Sequence, residues 1–288
     1  MKTIKLILGL ALGFLFASTS TAQTETQKEN NTLLYSITGN GLKETSYLFG
    51  TAHVQCADDF EIKSKVLKAI KNSKEVCFEI DIADTRSNEV VMERIKNGER
   101  LSEQLDSLEL IKIDSLLQVK MGMTAKMLDM YSLDFVAPLL GLSGIKCTDR
   151  KYFEKEILSI ATQNNIKTRG IETIEYQMDC VKKSSNKQTI LNHIYTDAFY
   201  KVLPTVLKAH KNEDLNTLMD ICLGQDYMTT HEVKVLLEIR NANWVKLMPE
   251  MMKTKPTFFA FGAAHLGSKI GVIEGLRKLG YTVTPIYK

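Results

Sequence analysis

Tyr47-Leu48-Phe49-Gly50-Thr51-Ala52-His53 recurs far downstream as Phe259-Ala260-Phe261-Gly262-Ala263-Ala264-His265. In each copy an apolar, strand-like run leads into Gly-x-x-His, so two imidazoles can meet where two strands end. Each glycine, lacking a side chain, would let the backbone turn sharply and leave the imidazole projecting over the sheet edge.

Working outward from the first copy, Leu33-Leu34-Tyr35-Ser36-Ile37-Thr38 reads as a strand and Gly39-Asn40-Gly41 as a turn, so the chain opens on a hairpin. Ile62, Val66, Leu67, Ala69 and Ile70 follow helical spacing within Phe60 to Ile70. Lys74-Glu75-Val76-Cys77-Phe78-Glu79-Ile80-Asp81 is then a short buried strand with the acids Glu79 and Asp81 at its C-terminal end. The second copy repeats this order, with Gly271 to Leu279 as helix and Tyr281 to Ile286 as last strand. The fold class expected is therefore α/β, two related β-α-β halves whose polar groups gather at strand ends. Between them, residues 88–144 read as a largely helical insert or cap. Met121, Met123, Met127 and Met130 belong to its packing stripe rather than to a soft-metal site. Tyr152 to Ala161 reads as a helix, Ile166 to Gly170 as a strand, and two or three more helices span Lys187 to Met252.

Residues 1–22 have the basic, apolar and small-residue order of a secretory signal, with cleavage expected before Gln23 and a flexible leader over 23–31. The chain is then exported, to a periplasmic or extracellular space, with residues 32–288 as one domain and no stable membrane span in the mature form. Removing Lys2 and Lys5 leaves 35 basic against 34 acidic residues, a formal +1. That balance, with both signs interspersed, excludes the basic footprint of a nucleic-acid partner. Five cysteines, an odd number, favour core thiols with one optional bridge, for which Cys147 and Cys180 are the better candidates.

His53 and His265 are candidate neutral nitrogen ligands or proton shuttles. Two histidines holding a divalent ion need a carboxylate as well, and Glu79 is the first choice because an acid directly after Val76-Cys77-Phe78 is costly to bury without a partner. Asp81 shares its strand face by alternation and is expected to join it. Glu172, at a strand-to-helix junction, either orients water as a general base, pairs with an arginine, or is a plain helix N-terminal acid; Gln177 is a hydrogen-bonding group behind it. Arg240, with Asn241, interrupts an apolar helical pattern and either stabilises a substrate's oxyanion or carboxylate, or ties the cap to the sheet. His193, His210 and His231 are expected in surface or helix-packing roles, and Trp244 as a packed anchor.

These pieces together resemble the TraB/GumN family, which includes the Tiki membrane-associated metalloproteases and belongs with the erythromycin-esterase and ChaN-like group. The resemblance runs through Leu48 to His53, Phe78-Glu79-Ile80-Asp81, Ile171-Glu172-Thr173 with Gln177, Arg240-Asn241 before Trp244, and Phe261 to Gly267 through Gly280-Tyr281. It implies an erythromycin esterase/ChaN-like core of two related halves. The family's paired Gly-x-x-His motifs and acidic residue map onto His53, His265 and Glu79, with Glu172, Arg240 and Asn241 at other recurrent positions. The chain departs from the Tiki pattern in having no second membrane segment, and it carries alanine before both histidines, Ala52 and Ala264.

The leading expectation is an exported metal-dependent hydrolase acting on a peptide or protein substrate, with Mn, Co or Zn on His53, His265 and Glu79. The alternatives are a protein binding haem or another ligand through the same histidines, and a non-catalytic scaffold recognising partners through its helical insert.

Overall fold

The expected hairpin pairs β1 (Leu34–Gly39) antiparallel with β2 (Ser46–Thr51), Leu34 lying opposite Phe49. The turn between them holds Gly39, Asn40 and Gly41 in succession at positive φ, the conformation for which glycine and asparagine are suited. The structure, a computed structural model, describes residues 31–288. The expected signal (1–22) and nearly all of the expected leader (23–31) lie outside the described residues.

Six strands form the main sheet in the order β6-β4-β7-β2-β1-β8, with β4 at Glu75–Phe78, β6 at Lys167–Gly170, β7 at Thr257–Gly262 and β8 at Tyr281–Pro285. The pairs β6/β4, β4/β7 and β7/β2 are parallel, and β1 is antiparallel to both of its neighbours. The two segments expected as related units are interleaved: β7 separates β2 from β4, while β2 and β1 separate β7 from β8. Strands from opposite ends of the chain thus become neighbours, Gly50 opposite Phe261 and Thr51 opposite Gly262.

The strands are apolar on both faces because both are covered. Val76, Phe78, Phe258 and Ala260 pack into one core with Val66, Ile70, Phe153 and Ile157, from the helices Ser64–Lys71 and Phe153–Gln163. The alternate residues Cys77, Phe259 and Phe261 face the other way, onto Trp244, Met248 and Leu276 of the helices Ile239–Thr254 and Val272–Lys278.

The central region holds helices at Arg86–Lys96, Leu101–Gln104, Ser107–Met121 and Leu133–Leu142. It has its own core, Ile113, Leu117, Val136 and Leu140 among them, joined by Leu191 and Ile194 of the helix Lys187–Tyr195. A second, two-stranded sheet pairs β3 (Val54–Cys56) with β5 (Arg150–Tyr152), fastening the segment after His53 to the end of this cap.

The expected Cys147–Cys180 bridge is corrected. Cys147 is bonded to Cys56, while Cys180 is a free, buried thiol on the helix Ile174–Ser184, as are Cys77 and Cys222 elsewhere. The pairing of β3 with β5 brings Cys56 opposite Arg150 and so close to Cys147. Among the described residues no helix is long and apolar enough to cross a membrane.

Candidate functional site

Four loops leave the C-terminal ends of the parallel strands side by side, and each brings one expected residue: Glu172 after β6, Glu79 after β4, His265 after β7 and His53 after β2. The C-terminal edge of a parallel sheet is where such folds place ligands. The Glu172 amide donates to the Glu79 carbonyl at 2.9 Å, holding the two acidic loops together.

The glycines act differently from the reading that made them turns. Neither Gly50 nor Gly262 has a positive φ. A Cβ on Gly50 would stand 3.0 Å from Leu266 Cδ2 and 3.1 Å from Ala263 Cα, so its role is to let the β7 loop approach β2. The bend is made by His53 itself, at φ 59° in the left-handed region. Its carbonyl accepts from the Phe153 amide at 2.9 Å, which fixes the loop to the start of the helix Phe153–Gln163.

That contact introduces a residue the sequence reading missed. Glu154 Oε1 accepts from His53 Nδ1–H at 2.7 Å and from the Thr51 hydroxyl at 2.6 Å. Because the carboxylate only accepts, a hydrogen sits on Nδ1, and Nε2 takes no part in the pair with Glu154. Crowding by the protein opposes protonation of His53, but the Glu154 charge and hydrogen bond outweigh it and raise the pKa to about 9. The His53 side chain is 61% exposed, however, so solvent screens the pair. Glu154 is correspondingly held below the usual carboxylate range: burial works against this, and the His53 charge and hydrogen bonds from His53 and Thr51 overcome it. Glu154 reads in sequence as an ordinary acid in a helix's first turn, and nothing local signals a partner 101 positions away.

His265 is buried, with its ring 4.4 Å from that of Trp244. Asn241 Nδ2 donates to the Ile270 carbonyl, which turns Asn241 Oδ1 to accept from His265 Nδ1–H at 2.7 Å. The Nε2 lone pair then accepts from Arg240 Nη1 at 3.2 Å. Burial is the main cause lowering the His265 pKa to about 3, against the pull of Glu79, so the ring is neutral.

Arg240 is the hub. Its Nη2 donates to Glu79 Oε2 at 2.7 Å and to Glu172 Oε1 at 2.6 Å, and its Nε to Glu172 Oε1 at 3.0 Å. It lies two residues past the end of a π-helical stretch, Val233–Glu238, and its Nη1 also reaches the Leu236 carbonyl at 3.1 Å. Burial would raise the pKa of Glu79. His265, Arg240, His53 and the Gly262 amide, which donates at 2.8 Å, bring it instead down to about 2. Since His265 is neutral, the guanidinium is the buried charge that carries this shift.

Glu172 is fully engaged. Trp244 Nε1–H donates to its Oε2 at 2.8 Å, and Gln177 Nε2 donates to its Oε1 at 3.2 Å and to Glu79 Oε2 at 3.0 Å. This geometry fits the arginine-pairing role and leaves no carboxylate oxygen without a partner for a water. Gln177 thus ties the two acids together. Asp81 does not join them: β4 ends at Phe78, so strand alternation no longer applies, and Asp81 Oδ1 accepts from the Ala83 amide in a turn. Of the other histidines, His193 pairs with Glu232, His231 donates to the Lys183 carbonyl, and His210 donates to the Gly50 carbonyl at 3.0 Å.

A cleft of about 430 Å³ opens over His53 and His265. The helix Leu133–Leu142 of the cap forms one side and the helices Ala198–Lys211 and Leu215–Cys222 the other.

Two observations test the expected metal. Among the described residues, no three His, Cys, Asp or Glu side chains form a preassembled cluster, because Arg240 occupies both His265 and Glu79. The donor set and its orientation nevertheless fit. Both imidazoles are held through Nδ1 with Nε2 directed inward, and a Cβ added to Gly262 would fall 3.1 Å from His53 Nε2 and 3.2 Å from Glu79 Oε1.

The family model described as the TraB/PrgY/gumN family matches residues 33–285. No curated protein and no solved structure matches the chain significantly.

Proposed function

The chain belongs to the TraB/PrgY/gumN family, and from that premise we propose that it is an exported metal-dependent hydrolase cleaving peptide bonds, on an erythromycin esterase/ChaN-like core. The observation that carries this reading is the open point beside Gly262, flanked by His53 Nε2 and Glu79 Oε1 at the base of the cleft.

His53, His265 and Glu79 would hold a Mn, Co or Zn ion, whose chemistry is to acidify water and polarise a carbonyl. Glu154 and Asn241 keep the two Nε2 atoms directed inward. Glu79 and Glu172 hold the Arg240 guanidinium in plane, and Trp244 and Gln177 hold Glu172. Arg240 Nη1 is the one donor of the hub aimed at the imidazole instead of a carboxylate, so it is the group available to an oxyanion developing on a substrate. To join a ligand set, His265 and Glu79 must give up Arg240 contacts. His53 must also be free of its second proton.

Elemental analysis of reconstituted protein, beside peptide hydrolysis, tests this. Wild type is expected to carry about one divalent ion per chain, and both metal and activity should be lost in His53→Ala and in His265→Ala. An unchanged hydrolytic rate after rigorous metal removal would overturn the reading. A second reading, a protein that binds haem or another apolar ligand through the same imidazoles, draws support from the cleft's lining. It requires an intense haem absorbance band that disappears in either histidine variant.

A further inference from the structure

The cleft above the histidines is lined without a single Asp, Glu, Lys or Arg. Its walls are Leu142 from the cap, Leu203 and Val206 from the helix Ala198–Lys211, and Leu218 and Met228 beyond. Its ionisable lining groups are His53 and His265 at the floor, His210, whose Nε2 is committed to the Gly50 carbonyl, and Cys222 and Tyr227. Burial raises the pKa of the Cys222 thiol to about 11 and that of the Tyr227 hydroxyl further still, so both stay neutral. Ala52 and Ala264, the residues immediately before the two histidines, also line it, and a methyl group at each leaves the floor unobstructed.

We infer that this cleft is the specificity pocket of the site and takes an uncharged, bulky apolar side chain next to the bond presented to His53 and His265. The volume accommodates a side chain of the leucine or phenylalanine class, and its removal from water against Leu142, Leu203 and Val206 is favourable. A lysine or aspartate side chain lying along those walls would lose its hydration and gain no partner. His53 and the Arg240 guanidinium behind His265 belong to the floor, where the reacting bond lies, and not to these walls. The inference rests on the hydrolase reading for the bond it places, whereas the pocket's preference for apolar groups stands by itself.

The test uses the full chain and two measurements. One is hydrolysis, by the metal-reconstituted protein, of blocked peptides varying one position among Leu, Phe, Ala, Asp and Lys. The other is calorimetric titration of a blocked Leu-Phe-Leu amide into metal-stripped protein. Leu and Phe peptides are expected to exceed Asp and Lys peptides in kcat/KM by on the order of a hundredfold. Val206→Trp, which fills the pocket, and Leu203→Asp, which places a charge on its wall, should each abolish binding of the tripeptide amide while circular dichroism shows retained fold. If one variant fails to fold, the other decides. Binding that is lost in these variants, with no hydrolysis of any peptide, supports the pocket and removes the hydrolase reading alone. Hydrolysis that ignores side-chain charge, or binding unaltered by either folded variant, overturns the pocket and leaves the hydrolase reading standing. Neither hydrolysis nor binding overturns both.

Discussion

Adding one methyl group at Gly262 would put a carbon at the point between His53 Nε2 and Glu79 Oε1. Gly262→Ala is therefore expected to weaken metal binding about tenfold or more, read by competition with a coloured chelator, while the Gly262 amide still donates to Glu79. Binding equal to wild type would show that the ion sits elsewhere. Arg240 poses the opposite case, since its loss leaves Glu79 and Glu172 buried with no cation. Arg240→Met should lower stability by about 3–5 kcal/mol, measured as the shift in urea midpoint at neutral pH. Arg240→Lys should rescue only part of it, because a single ammonium cannot reproduce the contacts that Nη2 and Nε make to two carboxylates. A full rescue by lysine would mean that charge alone matters there.

Among the elements, β2 depends on a histidine outside the expected site. His210 donates to the Gly50 carbonyl and lies edge-on to Phe153, and burial is the main cause that lowers its pKa from 6.5 to about 4. The unfolded chain binds a proton on this residue as pH falls through about 6.5, whereas the folded chain resists until about 4. Its contribution is thus present above pH 6.5 and lost progressively down to pH 4, by on the order of 3 kcal/mol. His265 and Glu79 also favour unfolding in acid, so the measurement is a difference. Urea midpoints at pH 7 and pH 5 should diverge less in His210→Gln than in wild type, and an equal divergence would remove His210 from the account.

The elements were legible in the sequence where their signals are local. The hairpin turn, β7 and the two Gly-x-x-His loops can all be read from neighbouring residues. What joins them could not be read. Arg240 meets Glu172 across 68 positions and Glu79 across 161, Glu154 meets His53 across 101, and Cys56 meets Cys147 across 91. A long-range partner leaves no periodicity or spacing behind. Asp81 failed for the converse reason, because alternation was extended past the last strand residue, Phe78.

On the scale of the whole molecule, the Cys56–Cys147 bond and the β3/β5 pair hold the cap to the segment that follows His53. Replacing both cysteines with serine should cost about 2–4 kcal/mol and raise amide hydrogen exchange in β3 and β5 ahead of the main sheet. Uniform exchange across both sheets would show that the bond stabilises the chain without fastening the cap. Cys77 and Cys180 are buried outside the cleft, so a thiol reagent should label neither of them before denaturant is added.

The place of β7 between β4 and β2 has a consequence for how the protein is made. While the ribosome is still short of residues 257–262, the nascent polypeptide owns two fragments of sheet with a vacant lane between them, and one histidine of its pair is still unsynthesised. Such distant pairings assemble slowly. The edge that carries the histidines is therefore born last and all at once, and a product terminated before Thr257 should show no cooperative melting transition in calorimetry.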